Sequence, residues 1–159
     1  RRGYFIDGLG GAQFAAPGAD ERLRNLTSQE NVGSTKSIAI SAVDPANPFG
    51  VIIPWPRVAG LTAIKPQRTS GALVLIQGGL AIGYLNRGYE SLTTFRHTTS
   101  DLPAMPKVLA AAIAKLTGSH GPILLASIDG HPAQDSDLAP DFLTAGFQSS
   151  SSGLRHRGI

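Results

Sequence analysis

The chain has 159 residues, enough to bury a core within one domain or two small ones. Apolar residues make up 42% and charged residues 16%, which excludes a disordered chain and points to a globular one with a bland surface. Fourteen Lys and Arg against eleven Asp and Glu give a net charge of +3, a slight lean toward nucleic acid, and the absence of cysteine excludes a disulfide scaffold or a thiolate metal site.

In chain order, Tyr4-Phe5-Ile6, the turn Gly8-Leu9-Gly10-Gly11 and the run Ala12-Gln13-Phe14-Ala15 read as a hairpin. It starts at once and without an initiator Met, as expected for a piece of a longer protein. Pro17-Gly18-Ala19-Asp20 reads as a helix start, with Leu23 and Leu26 as a short stripe over Asp20 to Leu26. A polar loop over Thr27 to Ser37 precedes a half-buried strand, Ser37 to Val43, with alternating Ile38, Ile40 and Ala42. Asp44-Pro45-Ala46-Asn47-Pro48 is a corner, and Val51 to Pro56 reads as a strand ended by prolines.

The clearest sheet signal lies in the middle. Ala72 to Gln77 and Leu80 to Leu85 flank Gly78-Gly79, a two-residue hairpin turn. Ser91 to Phe95 adds a third strand, so an antiparallel meander is expected. A helix over about 101–117 carries the stripe Leu102, Met105, Leu109, Ile113 and Leu116, with Gly118 at its stop. Pro122 to Ile128 reads as one buried strand, Asp129-Gly130 as a turn, and Asp137 to Ala145 as a short helix stopped by Gly146. The Ser149–Ser152 run reads as low complexity, with a final strand near Leu154. The fold class is α+β and mostly antiparallel.

The chemistry is sparse. No Walker loop is present, and Gly8-Leu9-Gly10-Gly11 sits between strands and so is no dinucleotide fingerprint. His97, His120, His131 and His156 lack metal-ligand spacing, so no metal is expected. No GxSxG-like elbow supports Ser-His-Asp catalysis. No apolar run approaches the roughly 18–20 residues that span a bilayer, and the start lacks signal-peptide form, so a cytoplasmic location and no membrane partner are expected.

Basic residues gather at the ends: Arg1, Arg2, Arg22 and Arg24, then Arg155, His156 and Arg157. If the ends meet, they form one phosphate-binding patch; otherwise they are a linker and a frayed tail. Arg57, Lys65 and Arg68 form a looser central group. Asp44 is the weak catalytic candidate, since a carboxylate near Trp55 suits base excision; the favoured reading is a turn carboxylate that accepts backbone N–H bonds. Trp55 is either a hydrophobic plug, the favoured reading, or a stacking platform for an unpaired base. Gln13 sits on the hairpin's exposed face, where it suits a base edge or a phosphate.

RRGYFIDGLGGAQFAAPGADERLR, AVDPANPFGVIIPWP, SGALVLIQGGLAIGYLNRGYESLTTF and AGFQSSSSGLRHRGI, in that order, resemble the far C-terminal part of the large helicase-related family. These are superfamily 2 ATP-dependent DNA helicases of bacteria. The resemblance covers essentially the whole chain. It implies a parent whose motor, with ATP and Mg, lies outside these residues, so no cofactor is expected here. It also implies a C-terminal extension of tandem winged helices ending in a β-barrel-like module. Residues 1–26 then end a winged-helix module, with the opening hairpin as its wing. Residues 37–159 form a barrel-like or strongly curved sheet with two or three short helices.

Two functions follow as expectations. The first is an accessory module of a DNA-repair helicase, nucleoid-associated in the cytoplasm, that contacts DNA, expected to be single-stranded, or helps assemble the parent as a homo-oligomer. The second is part of a winged-helix DNA glycosylase, an activity attributed to some members on uracil. Its short polar motif has no secure counterpart here, because Gln13 lacks a second polar partner at Ala15, and no carboxylate side chain follows Asp141. A solvent- or pocket-facing Asp44 favours the enzyme, and a turn-locked one favours the module.

Overall fold

The computed structural model describes residues 14–28, 36–60, 64–97 and 104–158. The expected opening hairpin lies outside these residues, apart from Phe14 and Ala15, which are not in a strand. Helix α1, Ala19–Ser28, follows Gly18 at φ +81, and Asp20 and Glu21 in its first turn complement the positive end of the helix dipole.

The larger sheet has six strands: β1 (Ser37–Ser41), β2 (Leu73–Gln77), β3 (Leu80–Leu85), β4 (Ser91–Thr94), β6 (Ser127–Ile128) and β7 (His131–Pro132). Strands β2 to β4 form the expected antiparallel meander, β1 adds to β2 antiparallel, and β6 joins β4 in parallel. Gly78 and Gly79 both take positive φ, as a two-residue turn matched to strand twist requires. The sheet is covered on both faces, which explains why its central strands read as unbroken apolar runs rather than alternating ones. Leu75, Ile82 and Leu85 face α2 (Met105–His120), while Val74, Ala81 and Tyr84 pack with Phe49, Trp55 and Phe95. A register shift between Leu75 and Ile76 leaves Ile82 unpaired across β2. A Cβ on Gly83 would stand 2.8 Å from Leu109 Cδ1, so glycine there lets α2 approach the sheet.

A second sheet of three strands, in the order β5 (Ile123–Leu125), β9 (Gly153–His156), β8 (Gln148–Ser150), closes the helix side with α3 (Ala139–Thr144). Phe142, Phe147 and Leu154 are buried between them.

Four expectations are corrected. There is no closed barrel among the described residues: the larger sheet is open, ending at β1 and β7, and is not strongly curled. Val51 to Pro56 is not a strand, because two N–H groups, those of Ile52 and Ile53, turn back onto the Pro48 carbonyl. The run Pro122 to Ile128 is two strands in different sheets. Ala126 and Ser127 both donate to the Glu90 carbonyl, at 2.8 and 3.1 Å, and this pulls the chain out of one sheet into the other. Helix α2 passes through Gly118 and ends at His120, where Gly121 at φ +79 returns its N–H to Thr117.

Candidate nucleic-acid interface

Among the described residues, the three-stranded sheet carries a surface with donors suited to an anion. Leu124, Arg155 and Gln148 are aligned across β5, β9 and β8, and Arg155 and Gln148 are exposed. The β8–β9 turn presents Ser151 and Ser152, and Ser150 Oγ donates to the Gly153 carbonyl at 2.9 Å, which fixes the turn. Arg157 is exposed just beyond β9. None of the three strands contains Asp or Glu, so nothing on them offsets the arginines. His156 is directed elsewhere: its ring lies 4.9 Å from that of Phe147 and Nδ1 lies 3.1 Å from Thr117 Oγ1. Guanidinium, amide and hydroxyl donors on a turn are the groups that hold phosphate oxygens.

The other predicted residues are dispersed. Arg22 and Arg24 are exposed on α1. Gln13, Arg1 and Arg2 lie outside the described residues. Arg57 is exposed and its carbonyl accepts the Arg96 N–H at 2.7 Å.

Asp44 is locked in its turn. Its Oδ1 accepts the Ala46 N–H at 2.7 Å, and its own carbonyl accepts Arg68 Nη2 at 3.0 Å. Trp55 is half-buried against Phe49, Tyr84 and Phe95, with ring centroids 5.7 to 6.3 Å away. Its ring is thus engaged by core aromatics.

Sequence reasoning missed two features here. By sequence Arg68 belongs to a loose basic group, yet its guanidinium clamps three carbonyls of the Asp44–Phe49 corner. By sequence Asp129 is a turn residue. It sits at φ +52, and its two oxygens accept the Thr94 N–H at 2.7 Å and the Thr94 hydroxyl at 2.6 Å. Beside it opens a cavity of about 400 Å³, also lined by His131, Asp135, Ser136 and Asp137. No sequence signal ties Thr94 to Asp129, 35 positions away. No group of three or more His, Asp or Glu converges as a metal site among the described residues.

A family model described as large helicase-related protein, winged-helix domain, matches residues 1–35. The Escherichia coli protein named Lhr helicase/uracil glycosylase is 35% identical over 155 residues, 96% of this chain. The chain belongs to the large helicase-related family. A second member, the Mycolicibacterium smegmatis protein named Lhr helicase/probable uracil glycosylase, is 33% identical over 169 residues, 99% of this chain. The chain spans 10% and 11% of the lengths of these two large helicase-related relatives and corresponds to a C-terminal region of the family.

Proposed function

We propose that this chain is a DNA-contacting accessory module of an ATP-dependent helicase with a role in DNA repair, working in the cytoplasm on single-stranded DNA. Residues 1–26 close a winged helix and 37–159 form a separate module, with ATP, Mg and the motor supplied by the rest of the long protein. The observation that carries this reading is the carboxylate-free sheet on which Arg155 and Gln148 stand exposed beside a serine turn. Arg57 and the α1 arginines, Arg22 and Arg24, extend the contact, with Gln13 as a further polar donor.

Fluorescence anisotropy with a labelled single-stranded oligonucleotide, across a salt series, tests it. Affinity should fall steeply with salt. R155A/R157A should flatten the slope of log K against log salt by about 1.4, because each single-strand phosphate contact contributes about 0.7. An unchanged slope in that variant would place the contact elsewhere.

The relatives' names support a second reading, a glycosylase. Base excision needs an acid or amide beside a pocket that admits a flipped base. The Asp129 cavity, rather than Asp44, is the place where this chain offers one.

A further inference from the structure

One imidazole ties the segment after β9 back onto α2. His156, the last residue of β9, lies between Phe147, whose ring is 4.9 Å away, and Thr117 of α2. Gly146 leaves room for the ring, since a Cβ there would stand 3.2 Å from Nε2. Two groups meet at Nδ1: the Gly158 N–H donates to it at 3.2 Å, and Thr117 Oγ1 lies 3.1 Å away. Gly158 takes φ +76 to reach this position, where a Cβ would stand 3.3 Å from Thr117 Oγ1. Accepting from Gly158 places the proton of the neutral ring on Nε2.

These contacts are not all kept in one protonation state. Thr117 has a single hydroxyl proton, which it donates to the Ala114 carbonyl at 2.7 Å. With Nδ1 bare to receive Gly158, the lone pairs of Nδ1 and Oγ1 face each other. Protonation reverses the balance. An Nδ1–H donates to Thr117 Oγ1, which still donates to Ala114, and the Gly158 N–H loses its acceptor. The neutral ring latches the segment and the charged ring releases it.

The surrounding charges are few. Of the elements packed on β9, β5 and β8 carry none, the turn Ala133–Asp135 carries Asp135, and α3 carries Asp141. Helix α2 adds Lys107, Lys115 and His120. Among the described residues, the groups bonded to His156 are Thr117 and Gly158 alone. In the chain His156 stands between Arg155 and Arg157, with Cα atoms about 3.8 Å apart. That is well inside the screening length of about 8 Å in physiological salt. A proton on His156 therefore adds a further positive charge to the arginine pair.

We propose that His156 is a proton switch: its protonation frees Gly158 and tightens the grip of residues 155–157 on a phosphate backbone. Imidazole ordinarily changes charge between about pH 5 and 8, so such a switch works near neutrality. The grip rests on the reading that this chain contacts DNA, and the test separates the two.

Two readouts on the full chain, at about pH 8 and about pH 6, test it. Without DNA, the Gly158 amide should shift and its heteronuclear NOE fall as the His156 ring signals titrate. With a labelled single-stranded oligonucleotide, affinity should rise about fourfold on acidification, the worth of one exposed ion pair. H156Q should abolish both changes, and H131Q, at an exposed histidine on β7, should keep them. The Gly158 readout needs no variant. A Gly158 amide that stays unmoved while His156 titrates overturns the switch and leaves DNA contact standing. A rise in affinity that survives H156Q assigns it to other groups and overturns the tightened grip. No binding at either pH overturns the DNA reading and the grip with it, and the Gly158 amide alone then decides the latch.

Discussion

Gly153→Ala is expected to cost about 4 kcal/mol or more, the largest loss from a single added methyl among the described glycines. Gly153 opens β9 at φ +129, where a side chain strains the backbone, and its Cβ would stand 2.1 Å from the Leu125 carbonyl oxygen and 2.9 Å from Ala126 Cα. Those neighbours are backbone, so no rotamer change relieves the clash. They also sit where the chain leaves β5 for β6, the junction of the two sheets. Separating β9 from β5 uncovers Leu154, Leu125 and Phe142, all buried in one cluster. Gly88→Ala is the control: it has φ +91 but nothing within 4 Å of the added Cβ, so about 1–2 kcal/mol of backbone strain is expected. Urea midpoints of the two variants check this. Similar midpoints would show that the approach of Gly153 to Leu125 does not hold the sheets together.

Arg68→Ala is expected to lower stability by about 3 kcal/mol, a fall in Tm of roughly 6–12 °C for a chain of this size. The guanidinium makes three hydrogen bonds, of 2.8, 3.2 and 3.0 Å, to the carbonyls of Asn47, Phe49 and Asp44. Its removal leaves part-buried acceptors without their charged donor, which costs more than the bonds' net worth. Arg68→Lys should recover less than half, because one ammonium cannot fork across three carbonyls. The clamp also supports the Phe49–Trp55 contact and, through it, the cluster around Tyr84 and Phe95. Thermal melts of the three proteins check the order wild type, Lys, Ala. Equal melting temperatures for Ala and wild type would make Arg68 a surface residue.

What the sequence shows and what it hides follow from the range of the forces involved. The β2–β4 succession is legible because its signals are local: apolar runs buried on both faces and a Gly-Gly turn with positive φ at both positions. Helix α2 is legible from its stripe, but its end is not, since Gly118 carries a signal weaker than the Gly121 cap three residues on. The split of Pro122 to Ile128 depends on the distant Glu90 carbonyl, and Ile123 to Leu125 alone gives no sign of it. The turn at Val51–Ile53 is hidden for the same reason. Val-Ile-Ile has strand propensity, and the Arg68 clamp that overrides it comes from a separate loop. The barrel came from family likeness rather than from the residues, and the open edges at β1 and β7 replace it. At the site, Arg155 and Arg157 are legible as charge, but Gln148 and the serines gain meaning only once β8 pairs with β9.

On the proposed function, DNA is expected to contact this chain at the Arg155 sheet face. Backbone amide shifts of the labelled 159-residue chain, titrated with a short single-stranded oligonucleotide, test it most directly. Perturbations are expected to concentrate at Gln148, Ser151, Ser152, Arg155 and Arg157. Perturbations centred instead on Asp129, His131 and Asp135 would contradict it in favour of a base-binding cavity, and a spectrum unchanged by DNA would contradict it outright.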